Sequence, residues 1–167
     1  MPQIRRRLIA AAGALALMLL PSAGMAGNIV DKAASAGNFT TLVKMIEAAG
    51  LAETLKGPGP FTVFAPTDEA FAKWPKKEVD LFLNPEKKKH LVRLLKHHVV
   101  AGKVKLDAIS GKTSDAKTLE GTTVKLDGKG AAMIDGKKIV KADIVADNGV
   151  IHVIDTPLLP KVYRGSF

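Results

Sequence analysis

The sequence predicts an α+β protein, a cluster of short helices followed by an antiparallel sheet. Three observations carry this. From Asn38 to Val100 apolar residues recur at helical spacing. After Lys103 they alternate with lysines at a period of two. Asp127-Gly128, Asp135-Gly136 and Asp147-Asn148-Gly149 then supply hairpin-type turns in that second region.

Taken in order, Asn28 to Ala36 makes a short amphipathic start. Asn38 is placed to cap a helix whose Phe39, Leu42, Val43 and Ile46 fall at i, i+3, i+4 and i+7, with Gly50 to end it. Leu51 to Leu55 adds a turn, and Gly57-Pro58-Gly59-Pro60 forces a tight loop. Phe61-Thr62-Val63-Phe64-Ala65 is rich in strand formers and predicts a buried strand. Thr67 is the natural N-cap of the next helix, and Asp68 and Glu69 sit in its first turn, where carboxylates suit the helix dipole. Ala70, Phe71 and Trp74 supply its buried side, Pro75 stops it, and Lys76 to Leu83 makes another short helix.

A longer helix is predicted from Glu86 to Val100, with Leu91, Leu94, Leu95 and His98 as its apolar stripe and Lys87, Lys88, Lys89 and Lys96 exposed. Strands then follow around Val104 and Leu106, around Val124 and Leu126, and over Ile144 to Ala146 and Val150 to Ile154. Pro157 and Pro160 close the core.

At 167 residues, 47% apolar and 25% charged, the composition is globular and the length suits one domain. With no cysteine, disulfides, thiolate metal sites and thiol nucleophiles are absent. Residues 1–26 read as a signal peptide: Arg5, Arg6 and Arg7 precede an uncharged run from Leu8 to Leu20, and Gly24 and Ala26 flank a cleavage point. That run is shorter than the ~20 apolar residues of a membrane span. The product, residues 27–167, is expected to be exported to the periplasm or beyond the cell, with no transmembrane segment. Losing Arg5, Arg6 and Arg7 and no acids lowers the formal charge from +9 to +6. After Ala26 only Arg93 and Arg164 are arginine, and the lysines are scattered with one Trp and one Tyr. Arginine forks and stacking aromatics are what nucleic-acid readers need, so a solvated lysine surface is the expectation and nucleic acid is not an expected partner.

Three segments carry a family resemblance. Phe61 to Phe71, reading Phe-Thr-Val-Phe-Ala-Pro-Thr-Asp-Glu-Ala-Phe, resembles the first signature of fasciclin domains. Asn148-Gly149-Val150-Ile151-His152-Val153-Ile154-Asp155, with the trailing Leu158-Leu159-Pro160, resembles the second. Between them Leu94 to Val100 is similar to the family's Tyr-His segment, with His97 standing where that tyrosine would be. The resemblance implies a wedge or sandwich of antiparallel strands with helices packed around it, in a single-domain exported bacterial member. It also implies adhesion: a non-enzymatic module, without cofactor, that binds a protein or polysaccharide on an envelope, a matrix or a host surface. Periostin-type animal members engage integrins through an Asp-Ile pair before the second signature, and the matching pair here is Asp143-Ile144.

Asp143, Ile144 and His97 are therefore the candidate partner contacts, and Thr67, Asp68, His98, Asn148, Gly149, His152 and Asp155 the structural motif residues. On residues alone, Ile144 also reads as a core strand residue and Asp143 as a turn former. If Asp143 acts only in recognition, its removal should leave stability nearly intact. His98 lies on an apolar stripe and reads as a core histidine bonded to backbone or to a hydroxyl such as that of Thr67; the functional alternative is a pH-sensitive latch. His152 divides the same way, with Asp155 and Thr156 as neighbouring partners. Asn38-Phe39-Thr40 matches a glycosylation acceptor, but a helix cap explains Asn38 better. His90 and His97 lie ~10 Å apart along a helix, too far for one ion. Phosphate-loop, dinucleotide and nucleophile-elbow patterns all fail. A hydrolase would need a nucleophile beside a histidine, and Thr67 near His98 is the pair the sequence nominates. The alternative function is a periplasmic carrier of a small apolar ligand or lipid held between helices and sheet.

Overall fold

A computed structural model describes residues 27–161. The signal-peptide assignment to residues 1–26 lies outside them. Asn28 starts α1 (Ile29–Ala36), its side chain accepting from the Asp31 N–H. Next come α2 (Thr40–Ala49), closed by Gly50 in the left-handed region, and α3 (Ala52–Lys56). After the Gly-Pro loop, β1 (Phe61–Pro66) leads into α4 (Asp68–Ala72), capped by the Thr67 hydroxyl, and α5 (Lys76–Leu83). A 3-10 turn at Pro85–Lys87 opens α6 (Lys88–His97).

The long helix stops earlier than expected. His98 is its C-cap, and Val99–Ala101 forms β2, an antiparallel neighbour of β1. The β-branched pair Val99-Val100 gains sheet hydrogen bonds there that a helix would deny it. A second correction follows: the alternation at Val104 and Leu106 does not make a strand. It leads into α7, one short turn at Leu106–Ile109. The remaining strands are β3 (Thr113–Lys117), which the sequence reading did not identify, β4 (Thr123–Asp127), β5 (Met133–Ile134), β6 (Lys137–Ala146) and β7 (Gly149–Ile154).

The fold is α+β, with the strands in the order β2-β1-β7-β6-β5-β4-β3. All pairings are antiparallel except β1 with β7, which run parallel with Phe61 opposite Gly149 and Phe64 opposite His152. The expectation of antiparallel strands alone is corrected at this central pair. Its two strands are buried on both faces, which is why Phe61 to Ala65 and Val150 to Ile154 read as near-continuous apolar runs. On one face Val63, Ala65, Ile151 and Val153 pack with Phe39, Leu42, Leu91 and Leu94 of the helical layer. On the other, Phe64 and Ile154 pack with Val124, Leu126, Ile134, Ile139 and Leu158. The sheet curls until the end of β3 meets β2, where Val100 bridges Thr118. That curl is what gives β1 and β7 two covered faces.

Candidate functional site

The second signature is a junction. Asn148 Oδ1 accepts from the Ile29 N–H at 3.0 Å, its Nδ2 donates to the carbonyls of Leu55 and Gly57, and its own carbonyl accepts from Phe61. One side chain thus ties α1, α3 and the Gly-Pro loop to the start of β7. Gly149 follows because a Cβ there would collide with the Phe61 carbonyl oxygen, and a Cβ on Gly59 would strike that of Asn148. Asp155 ends the motif through its backbone, whose carbonyl accepts from Lys73 Nζ at 3.0 Å.

The first signature does related work. The Thr67 hydroxyl accepts from the Ala70 N–H at 3.2 Å and caps its own helix. Asp68 turns outward from that helix and accepts from the Thr40 and Thr41 N–H groups at 3.1 and 2.7 Å, capping α2 across 27 residues. The expected Asn38 cap is thereby corrected: Asn38 contributes its carbonyl to the Asp68 N–H, and its side chain does not cap α2. Burial raises the Asp68 pKa, but hydrogen bonds from Thr41 and Thr40 outweigh it and hold the carboxyl below its ordinary value.

His98 is buried, and both ring nitrogens are engaged. Nε2 accepts from the Leu158 N–H at 2.8 Å, so Nδ1 carries the proton and donates to the Leu94 carbonyl at 2.7 Å. Burial, opposed by the Leu94 bond, lowers its pKa to about 4. Thr67 is not its partner, so the Thr67–His98 pair nominated from sequence is not assembled. His97 is only 2% exposed, with Nδ1 at 2.6 Å from the Thr122 hydroxyl. The expectation of a partner contact at that ring is corrected by its burial: a ring enclosed at the helix–hairpin junction presents no surface. The alternation of exposed lysines along the helix gave no sign of this, because the hairpin that covers His97 arrives from 25 residues away.

His152 lies in the second face of the sheet, its ring stacked on Phe64 with centroids 5.5 Å apart. Its Nδ1 accepts from the Asp143 N–H at 3.3 Å, so Nε2 donates to the Val104 carbonyl at 2.6 Å. The expected neighbours Asp155 and Thr156 bond to each other instead. Burial lowers the His152 pKa against the opposing effects of the Val104 bond and the Asp143 charge.

Asp143 is half-buried, with φ +56°, at an irregularity where the pairing of β6 with β7 skips from Lys141 to Ile144. Its Oδ1 accepts from the Leu106 N–H at 3.0 Å, the first residue of α7. Sequence reading missed this bond between segments 37 residues apart. Ile144 is half-buried against the helical-side core. The pair therefore has structural contacts, and its neighbours define the surface. Met133, Val140 and Val145 are exposed by 37, 52 and 51%, the large apolar side chains among the described residues left most open to solvent, and all lie on β5 or β6.

Two surface hollows bear on ligands. One, of about 340 Å³, is lined by Asp68, Phe71, Trp74, Lys76 and Asp80 among others. Another, of about 610 Å³, follows α6. Both open to solvent on the outside of the helical layer, and charged residues line each. No group of three or more His, Asp or Glu converges among the described residues, and no helix among them is long and apolar enough to cross a membrane.

A family model for the fasciclin domain matches residues 37–160. A Synechocystis protein, sll1483, is 43% identical over 134 residues, covering 80% of this chain and 73% of its own length. The pig transforming growth factor-beta-induced protein ig-h3 is 36% identical over 135 residues, 80% of this chain but 19% of that protein. Among solved structures, a domain pair from the insect cell adhesion molecule fasciclin I superimposes with a TM-score of 0.71 at 19% identity, covering 81% of this chain and 51% of that one. That likeness is one of fold.

Proposed function

The chain belongs to the fasciclin domain family, and from that premise we propose that it is an exported adhesion module that binds a protein or polysaccharide of an envelope, a matrix or a host surface and catalyses no reaction. The observation that carries this reading is the exposure of Val140 and Val145 on β6, the strand that holds Asp143 and Ile144, with exposed Met133 on the adjoining β5. Exposed apolar side chains beside a fixed polar group have the composition of an interface centre. Engagement of both ring nitrogens of His98 and of His152 in structural hydrogen bonds supports the non-enzymatic part, since neither ring is left to move a proton.

Cross-linking in the native envelope, followed by mass spectrometry, tests it. A discrete macromolecular partner should appear with the natural chain and disappear with Val140→Lys, Val145→Lys, both variants melting alike. A partner retained by the charged variant would remove this face from the reading. A bound lipid or small apolar molecule with no macromolecular partner would favour a carrier.

A further inference from the structure

Along α6 the cations share one flank. At 100° per residue, Lys88, Lys89, Val92, Arg93 and Lys96 fall within an arc of ~140°, while Leu91, Leu94, Leu95 and His97 turn into the protein. Pro85, Glu86, Lys88, Lys89, Val92 and Arg93 line the groove of about 610 Å³ beside it. Among the described residues Arg93 pairs with Glu120, while Lys88, Lys89 and Lys96 form no ion pair. Lys89 and Arg93 are like charges four residues apart, an arrangement that weakens an isolated helix, and Glu120 pairs with Arg93 but not with Lys89.

Arg93 is held in place. Its Nε–H donates to Glu120 Oε1 at 3.2 Å; the Arg93 side chain is 52% exposed and that of Glu120 only 7%. A buried carboxylate therefore anchors an exposed guanidinium between the lysines. The stripe runs ~12 Å from Lys88 to Lys96 at 1.5 Å per residue, and Glu86 bounds one end.

We propose that this groove seats a linear polysaccharide bearing carboxylate or sulfate groups. Charge complementarity favours a polyanion. A concave strip suits a single strand better than a planar lipid surface, and Pro85 and Val92 add apolar lining for sugar faces. No aromatic residue lines it, which removes the stacking platform that nucleic-acid strands use. The surface lies on a different element from β6 and stands independently of the face proposed above.

The test is titration of the full-length gene product, as purified from expressing cells, with alginate, heparin, neutral dextran, phosphatidylglycerol vesicles and duplex DNA. Lys88→Gln, Lys89→Gln, Arg93→Gln, Lys96→Gln is compared with a charge-matched control, Lys125→Gln, Lys129→Gln, Lys137→Gln, Lys138→Gln. Alginate or heparin should bind in a salt-sensitive way, dextran should not, and the helix variant should weaken binding at least about tenfold against less than about twofold for the control. Equal losses would show that net charge alone acts and would overturn the proposal. So would absent polysaccharide binding, or tighter binding to vesicles or DNA. If the fourfold variant melts without cooperativity, Lys89→Gln, Lys96→Gln read against Lys125→Gln, Lys129→Gln decides by the same comparison.

Discussion

Asp143 donates its backbone N–H to Nδ1 of His152 across the β6–β7 pair, and the same two residues hold the 104–106 segment, His152 through the Val104 carbonyl and Asp143 through the Leu106 N–H. Protonation of His152 would place a second donor against the Asp143 N–H. The folded pKa is lowered, so the stabilisation is complete above the ordinary imidazole value near 6.5 and is lost as pH falls below it. In amide-resolved NMR, the Leu106 and Asp143 N–H signals should shift together with one titration, that of the His152 ring. Independent titrations would dissolve the link.

Asp143→Ala removes the acceptor for Leu106 and leaves a β-carbon at φ +56° without the local bonding that makes aspartate tolerable there. We expect a loss of about 1–2 kcal/mol, with Asp143→Asn costing less than half of that. This replaces the expectation from sequence that stability would hardly change. Equal melting of natural and alanine chains in urea would assign the residue to recognition alone.

His98 enters the fold neutral, with a pKa of about 4 against 6.5 for the free ring. Between those values the unfolded chain binds more protons, so unfolding free energy rises with pH across that window. The lowered value corresponds to about 3 kcal/mol in order of magnitude, present above pH 6.5 and lost towards pH 4. Denaturant titrations from pH 4 to 7 should show the slope, and His98→Gln should flatten much of it. A flat profile in the natural chain would contradict the buried neutral ring.

Asp68→Ala uncaps α2 from outside its own helix and should cost about 1–2 kcal/mol, whereas Asn38→Ala should cost little. Because its folded pKa is lowered, the Asp68 contribution stands above about the free value of 3.8 and disappears as pH falls through the folded value. Thermal melts of both variants at neutral pH check the ranking; a larger effect at Asn38 would restore the local cap.

Gly149→Ala drives a methyl into the Phe61 carbonyl at the parallel β1–β7 pair. Displacing central sheet backbone should cost more than about 3 kcal/mol. Gly130→Ala, where nothing lies within 4 Å, should be nearly neutral. Cooperative melting of Gly149→Ala near the natural temperature would show that the two strands separate easily.

Local signals proved readable where the partner is local. Thr67 bonds three residues ahead, Gly50 closes α2 with its own conformation, and Asp135-Gly136 turns β5 into β6. Features whose partner arrives from elsewhere were not readable. The α2 cap comes from Asp68, α7 starts where Asp143 supplies an acceptor, and Val99-Val100 leaves the helix because β1 offers an open edge. Nor could helix periodicity say that a hairpin residue, Thr122, would meet His97.

By itself the sequence determined the α+β class and the buried central strands, because propensity, periodicity and turn chemistry act over a few residues, and its two signature segments carried the resemblance to the family. The tertiary structure alone decided which aspartates cap which helices, that β1 and β7 run parallel, that His97 is enclosed, and that Val145 is left facing water. Those depend on contacts between segments distant in the chain, whose pairing is selected by packing the whole sheet at once.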